Sequence, residues 1–219
     1  KGHISLINKA KKKSKKVLVS IYVNSQQFDS KKDFKKYPRN FIKDISLLRK
    51  KKIDYLFIPN NKDMYSFKTK KKIYLNKFSK KLCGKFRPSH FKAVVNVVNR
   101  FLEIIKPKSI YLGMKDFQQL TLIKLHIIKK KIKTKLVACP TIREHNGLAL
   151  SSRNKLLNKA DFKTSGLIAC KLIKLRSSLC TKNNHDSIGS KKSQELIKKT
   201  KISLIKKFNI KIEYLECRN

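Results

Sequence analysis

The sequence predicts an α/β fold built on a parallel sheet, and three observations predict it. Short apolar runs rich in β-branched residues alternate with longer stretches whose apolar residues recur at helical spacing. The runs are nearly unbroken rather than alternating, as strands covered on both faces are. Polar clusters follow the runs, at the ends where open α/β sheets place their ligands. A chain of 219 residues, 25.6 kDa and 40% hydrophobic content has room for one large domain, or one domain and part of another.

The elements follow in order. Gly2 to Ala10 reads as a helix whose lysine-rich end from Lys9 to Lys16 faces solvent. Val17–Val23 reads as a strand buried on both sides, with Asn24 to Phe28 at its C-terminal end. Phe41, Ile45 and Leu48 mark a helix, and Ile53–Ile58 a second strand closed by Pro59. Asn60 to Lys85 reads as irregular and basic, with Met64, Tyr65, Tyr74 and Phe78 among lysines. Such rings stack bases in some proteins, but core packing of a loop is the favoured reading. Phe91 to Ile105 is an amphipathic helix with Val94, Val95, Val98 and Phe101 inward.

Ser109–Leu112 is the third strand. Gly113 is read as removing a Cβ where the backbone turns, and Asp116 as the cap of a helix carrying Phe117, Leu120, Ile123 and Leu125 inward to about Lys130. Lys135–Ala138 is the fourth strand, and residues 140–150 form a loop before Ser151–Asn154. After Asn158 come helices at about Ala160–Arg176 and Lys191–Lys207, a polar linker at 177–189, and an alternating strand at 210–215. The expected division is residues 1–157 and 158–219, the latter the start of a small α+β domain.

The formal charge of +43 raises nucleic acid or an anionic membrane as a partner. It is made by 48 lysines and eight arginines. Arginine is the residue of bidentate phosphate and base contacts, so the balance favours a solvated lysine surface over nucleic-acid recognition. Frequent Ile and Asn beside the lysines fit AT-rich coding. No apolar run approaches the roughly 20 residues that span a bilayer. Five cysteines without a CxxC pair or a zinc-like histidine spacing imply reduced thiols in a cytosol-like compartment.

Chemistry concentrates in five clusters: Gly2-His3, Asn24 to Gln27, Arg87 to His90, Gly113 to Gln119, and Ser151 to Arg153. A strand end, a glycine, Lys115 and a following helix N-terminus outline a phosphate site. Carboxamides orient hydroxyls and carboxylates without bringing a competing charge. Together the clusters suggest a nucleotide-phosphate site beside a small polar-acid site. His126 and His145 are read as structural.

The stretches VSIYVNSQQF (19–28), DFKKYPRN (33–40), FRPSHFKAV (86–94), LGMKDFQQL (112–120), PTIREHNGLALSSRN (140–154) and YLECRN (214–219) resemble the pantothenate synthetase (pantoate–β-alanine ligase) family, within the HxGH nucleotidyltransferases. The resemblance implies a Rossmann-like, doubly wound N-terminal domain and a small C-terminal domain. It implies condensation of pantoate with β-alanine, splitting ATP to AMP and pyrophosphate with Mg²⁺ through a pantoyl-adenylate, in a cytoplasmic homodimer.

Residue by residue, it assigns His3 as proton donor to the departing phosphate and Gly2 as leaving room for ATP. Asn24, Gln27, Gln119 and Arg87 belong to the pantoate and β-alanine pocket, with His90 beside it. Gly113, Met114, Lys115, Asp116, Ile142, Leu150, Ser151, Ser152 and Arg153 belong to the ATP site. Lys115 and Arg153 carry the catalytic cations, and Asp44 is a candidate Mg²⁺ ligand. The family's strand and PTMGxLH turn before His3, with the first histidine of HxGH, do not occur, so the chain is expected to be cut at both ends. Cys83, Met114, Asn146 and Ile42 stand where the family carries acids. The alternatives are another adenylate-forming ligase of the superfamily, an inactive copy, or a basic nucleic-acid-binding protein.

Overall fold

The computed structural model describes residues 1–28, 30–180 and 190–217, in two compact units, residues 1–142 and 143–219. In the first unit α1 (Gly2–Lys13) leads into β1 (Leu18–Ser20). Two helices follow, α2 (Lys31–Lys36) and α3 (Phe41–Lys50), each opened by a side-chain cap, Ser30 Oγ and Asn40 Oδ1 respectively. Next come β2 (Tyr55–Phe57), α4 (Asn61–Tyr65), α5 (Cys83–Phe86) and α6 (His90–Ile105). The unit ends with β3 (Ser109–Gly113), α7 (Phe117–Lys129) and β4 (Lys135–Cys139).

Both strand pairs among the described residues are parallel. β1 lies beside β2 with Leu18 opposite Tyr55, and β3 beside β4 with Ser109 opposite Lys135 and Gly113 opposite Cys139. The expected α/β class with parallel strands is what forms. The first two strands are shorter than the apolar runs suggested, and neither is buried on both sides. Leu18 and Tyr55 pair in register yet are 38% and 56% exposed, because no described layer covers that end of the pair.

The core is organised by α6. Val94 and Leu102 pack with Ile123 and Ile127 of α7, and Val98 joins Ile110, Leu112 and Leu136 of the β3–β4 pair around them. Phe91 and Val95 pack with Leu122 against Ile73, Leu75 and Phe78. Phe101 meets Tyr22 and Phe57 edge-on, at 6.2 and 6.0 Å between ring centroids, so the same helix reaches the β1–β2 pair. Among the side chains that lie between lysines, Met64 is buried, Phe78 packs on the Phe91 cluster, and Tyr65 and Tyr74 are half-buried. Arg100 covers the Tyr65 ring and donates to the Met64 and Phe67 carbonyls at 2.8 and 2.9 Å, tying α4 to α6.

Residues 60–85 are not wholly irregular. α4 begins with a reciprocal capping box between Asn60 and Asp63, and α5 interrupts the loop before α6. Gly113 and Asp116 differ from expectation. Gly113 has φ −76° and nothing within 4 Å of where a Cβ would stand, so neither conformation nor space requires a glycine there. Asp116 makes no side-chain cap hydrogen bond to α7; it is ion-paired with Lys115 instead. Phe117 is 59% exposed, and Leu122 and Ile127 face inward alongside Leu120 and Ile123.

His126 is structural, as the sequence suggested. It is fully buried; Nδ1 accepts from the Tyr74 N–H at 3.0 Å and Nε2 donates to Asn99 Oδ1 at 3.0 Å. Asn99 in turn donates to the Lys71 carbonyl and to Glu103. Burial, with smaller contributions from Lys130 and Lys71 against Glu103, pushes the imidazole down from 6.5 to about 4. Above 6.5 folded and unfolded chains carry the same proton count here. Between 6.5 and 4 the unfolded chain binds a proton that the native state refuses, so stability falls as pH falls. Urea midpoints should drop from pH 7.5 towards pH 5, and the drop should shrink in His126→Asn. Equal pH slopes in the two proteins would contradict this account.

The second unit opens with a tight reversal closed by an antiparallel bridge between Arg143 and Ala149. Gly147 turns it with φ +86°, a conformation that favours glycine. A 3₁₀ turn at Ser152–Leu156 precedes α8 (Lys159–Leu179), which packs with α9 (Lys191–Phe208). Both helices run slightly beyond the expected bounds. Residues 181–189 of the expected linker lie outside the described residues. The strand expected at 210–215 is absent: those residues adopt no regular element, and no described strand stands ready to pair with them.

Candidate active site

Chain direction gathers several of the sequence-derived residues at one rim. The Ser14 hydroxyl lies 3.1 Å from the Tyr111 hydroxyl, beside the middle of β3. Lys9 Nζ donates to the Ala138 carbonyl at 2.9 Å, one residue from the end of β4. α1 therefore runs opposite to both strands, and its first turn, with Gly2 and His3, lies towards their C-terminal ends. His3 is exposed there. Gly113 ends β3 at the same rim, followed by a 3₁₀ turn of Met114, Lys115 and Asp116. Lys115 Nζ sits 3.2 Å from Asp116 Oδ1, and both side chains remain partly open to solvent.

The segment after β1 is the most constrained part of the site. Asn24 is 2% exposed; its Oδ1 accepts from the Gln26 N–H at 3.2 Å, closing a 3₁₀ turn over Ser25–Gln27. Its Nδ2 is buried and faces the Tyr65 hydroxyl outside good hydrogen-bond geometry. The Gln27 carbonyl accepts from Arg87 Nη2 at 3.1 Å and from His90 Nδ1 at 2.8 Å. The sequence placed Arg87 and His90 beside the pocket; it carried no signal that they hold backbone. Beneath them, Tyr22 donates to Asn61 Oδ1 at 2.6 Å, and burial pushes its phenol up to about 12, so it stays protonated.

Other expected residues stand apart or take other work. Gln118 donates to the Phe78 and Lys81 carbonyls at 2.9 and 2.7 Å, pinning the loop ahead of α5. Gln119 follows it in the first turn of α7. Asp44 lies in the first turn of α3 and is exposed. Among the described residues no group of three His, Cys, Asp or Glu gathers as a metal cage. Ile142, the last residue of the first unit, is 38% exposed.

In the second unit Leu150 and Ser151 lead into the Ser152–Leu156 turn, and Ser151 Oγ accepts from the Arg153 N–H at 3.3 Å. Asn146 explains its own departure from an acid. Its Nδ2 donates to the Phe162 carbonyl and its Oδ1 accepts from the Leu148 N–H, and a carboxylate could make only the second bond.

The family model described as pantoate-beta-alanine ligase matches residues 1–219. The chain belongs to that family. It is 44% identical over 157 residues to the pantothenate synthetase of Sulfurihydrogenibium sp. (strain YO3AOP1), covering 72% of this chain and 56% of that one. The chain thus spans a little over half the length of that relative. The crystal structure of pantothenate synthetase from Thermus thermophilus superposes with a TM-score of 0.84 at 28% identity, over 97% of this chain and 75% of that one. The pantoate-beta-alanine ligase of Francisella tularensis, complexed with beta-gamma ATP and beta-alanine, superposes with a TM-score of 0.74 at 38% identity, over 92% and 73%. These matches establish the Rossmann-like fold expected from the sequence.

Proposed function

We propose that this protein condenses pantoate with β-alanine at the expense of ATP, releasing AMP and pyrophosphate. The observation that carries the reading is the family match over residues 1–219. The start of α1 and the end of β3 share one rim, which supports a site there.

The pantoate carboxylate oxygen attacks the α-phosphorus of ATP, and the bond to the β-phosphate oxygen breaks. Pyrophosphate leaves with that electron pair, and its growing charge is what cations must meet. Lys115 is the proposed cation of the first unit, with Gly113, Met114, Asp116 and Ile142 around the nucleotide. Leu150, Ser151, Ser152 and Arg153 are proposed as phosphate ligands on the family resemblance, and the nucleotide-binding region is proposed to run through residue 157. His3, beside Gly2 at the N-terminus of α1, gives its proton to the leaving pyrophosphate.

Asn24, Gln27, Gln119 and Arg87 form the acid pocket. The neutral amides of Asn24, Gln27 and Gln119 suit two carboxylate substrates there, since they bind without neutralising the attacking oxygen, while the Arg87 cation is engaged by the Gln27 carbonyl. In the second step the β-alanine amine attacks the activated carbonyl, the bond to AMP breaks, and the amine sheds a proton. Alignment matters more here than a strong base.

Asp44 is the residue proposed to help hold Mg²⁺, which would offset phosphate charge; a lone carboxylate suits an ion held mainly by phosphates and water. We also propose that the protein works as a cytoplasmic homodimer. No described helix is long and apolar enough to cross a membrane. The exposed Phe41, Ile42, Leu47 and Tyr55 of α3 and β2 suit a subunit contact. The test is release of AMP from ATP that depends on both acids.

A further inference from the structure

We propose that Arg87 and His90 act on the reaction as positioning residues: by gripping the Gln27 main-chain carbonyl they aim the Gln27 amide at the acid substrates. The inference rests on the reading of Gln27 as a substrate ligand. It adds how that ligand is held and which ring nitrogen does the holding.

The geometry is specific. A carbonyl oxygen only accepts, so the 2.8 Å contact requires a hydrogen on His90 Nδ1. Arg87 Nη2 donates to the same oxygen at 3.1 Å, while Arg87 Nη1 stands 3.5 Å from His90 Nε2. A guanidinium carries no lone pair, so that longer contact is favourable only when Nε2 is the bare acceptor. The 2.8 Å contact assigns a proton to Nδ1, and the longer one suits the tautomer that leaves Nε2 without one.

The grip links parts of the chain with unequal rigidity. Gln27 ends a three-residue turn that has two internal backbone bonds, Gln27 N–H to Asn24 O at 3.2 Å and Phe28 N–H to Ser25 O at 3.1 Å. His90 is the first residue of α6, and Phe91, Val94 and Val95 of that helix are 4%, 2% and 0% exposed. One donor on the well-packed α6 and one just before it therefore moor a short surface turn, across 63 and 60 residues of sequence. With its carbonyl fixed from one side, Gln27 loses freedom to rotate its peptide planes, and the direction of its side chain follows.

Asparagine presents an amide nitrogen close to where histidine presents Nδ1; glutamine presents one near Nε2 instead. Three variants of the full chain separate positioning from contact: His90→Ala, His90→Asn and His90→Gln. In His90→Ala the KM for both acids should rise about tenfold, with the KM for ATP within about twofold. Hydrogen exchange at the Gln27 and Phe28 amides should quicken about tenfold, while α6 core amides keep their protection. His90→Asn should restore both readouts to within about threefold of the parent, and His90→Gln should not.

The proposal is overturned if His90→Asn is as impaired as His90→Ala, because the ring itself would then be needed. It is also overturned if His90→Ala leaves exchange at Gln27 and Phe28 unchanged. The exchange measurement needs no turnover. If the parent protein releases no AMP, the proposed reaction fails while the grip is still decided by exchange.

Discussion

Replacing Lys115 with alanine should lower kcat/KM for ATP by about 10²- to 10³-fold while leaving the fold intact, the scale of removing one preorganised charge donor from a reacting phosphate. Lys115 follows the last residue of β3 on a three-residue turn, so its ammonium is delivered by the sheet rather than by a wandering loop. Its one described ion pair is with the neighbouring Asp116, at 3.2 Å, and both side chains are substantially exposed. Pairs of that kind contribute little to stability, so thermal unfolding of Lys115→Ala should stay within about 2 °C of the parent. Lys115→Arg should recover part of the rate, because charge is kept and reach is altered. Loss of rate together with a large fall in melting temperature would make Lys115 a structural residue.

The second large effect concerns stability. A methyl group at Gly84 would lie 1.7 Å from the Ser79 carbonyl oxygen and 3.1 Å from Phe91 Cδ2. The nearer atom is backbone and cannot rotate aside. Glycine to alanine within a helix normally stabilises by up to about 1 kcal/mol. Here the sign reverses, and Gly84→Ala should destabilise by about 3 kcal/mol in urea unfolding. The loss should also reach the site, because Gly84 precedes Arg87 by one turn and packs on the helix that His90 opens. A variant as stable as the parent would mean that the Ser79 loop moves freely, which its 7% exposure argues against.

These two residues show what the sequence made legible. Lys115 was visible because a strand, a glycine and a lysine are neighbours in the chain. Gly84 was not, because its reason is a carbonyl five residues back that folds over it. The same division holds elsewhere. β3, α6 and α7 were readable from apolar spacing, since α6 and α7 each bury a continuous stripe. α4 is five residues long and owes its place to Arg100; its capping box, Asn60 with Asp63, was the one local sign. Residues 210–215 alternate as a strand does, but alternation forms no strand without a partner edge.

The site divides in the same way. Residue identities at 24–27, 87–90 and 113–119 suggested an anion and acid pocket before any coordinates. The convergence of Arg87 and His90 on a main-chain oxygen could not be read, because a backbone carbonyl has no letter in the sequence. Asp116 looked like a helix cap by position, yet the adjacent ammonium engages it instead.

The most direct test of the proposed reaction is AMP release from ATP by the protein. Four mixtures are compared: both acids, pantoate alone, β-alanine alone, and neither. Steady AMP production only when both are present, with pantothenate formed in equal amount, is the expected result. AMP appearing equally without pantoate, or pantoate giving way to another acid, would contradict it.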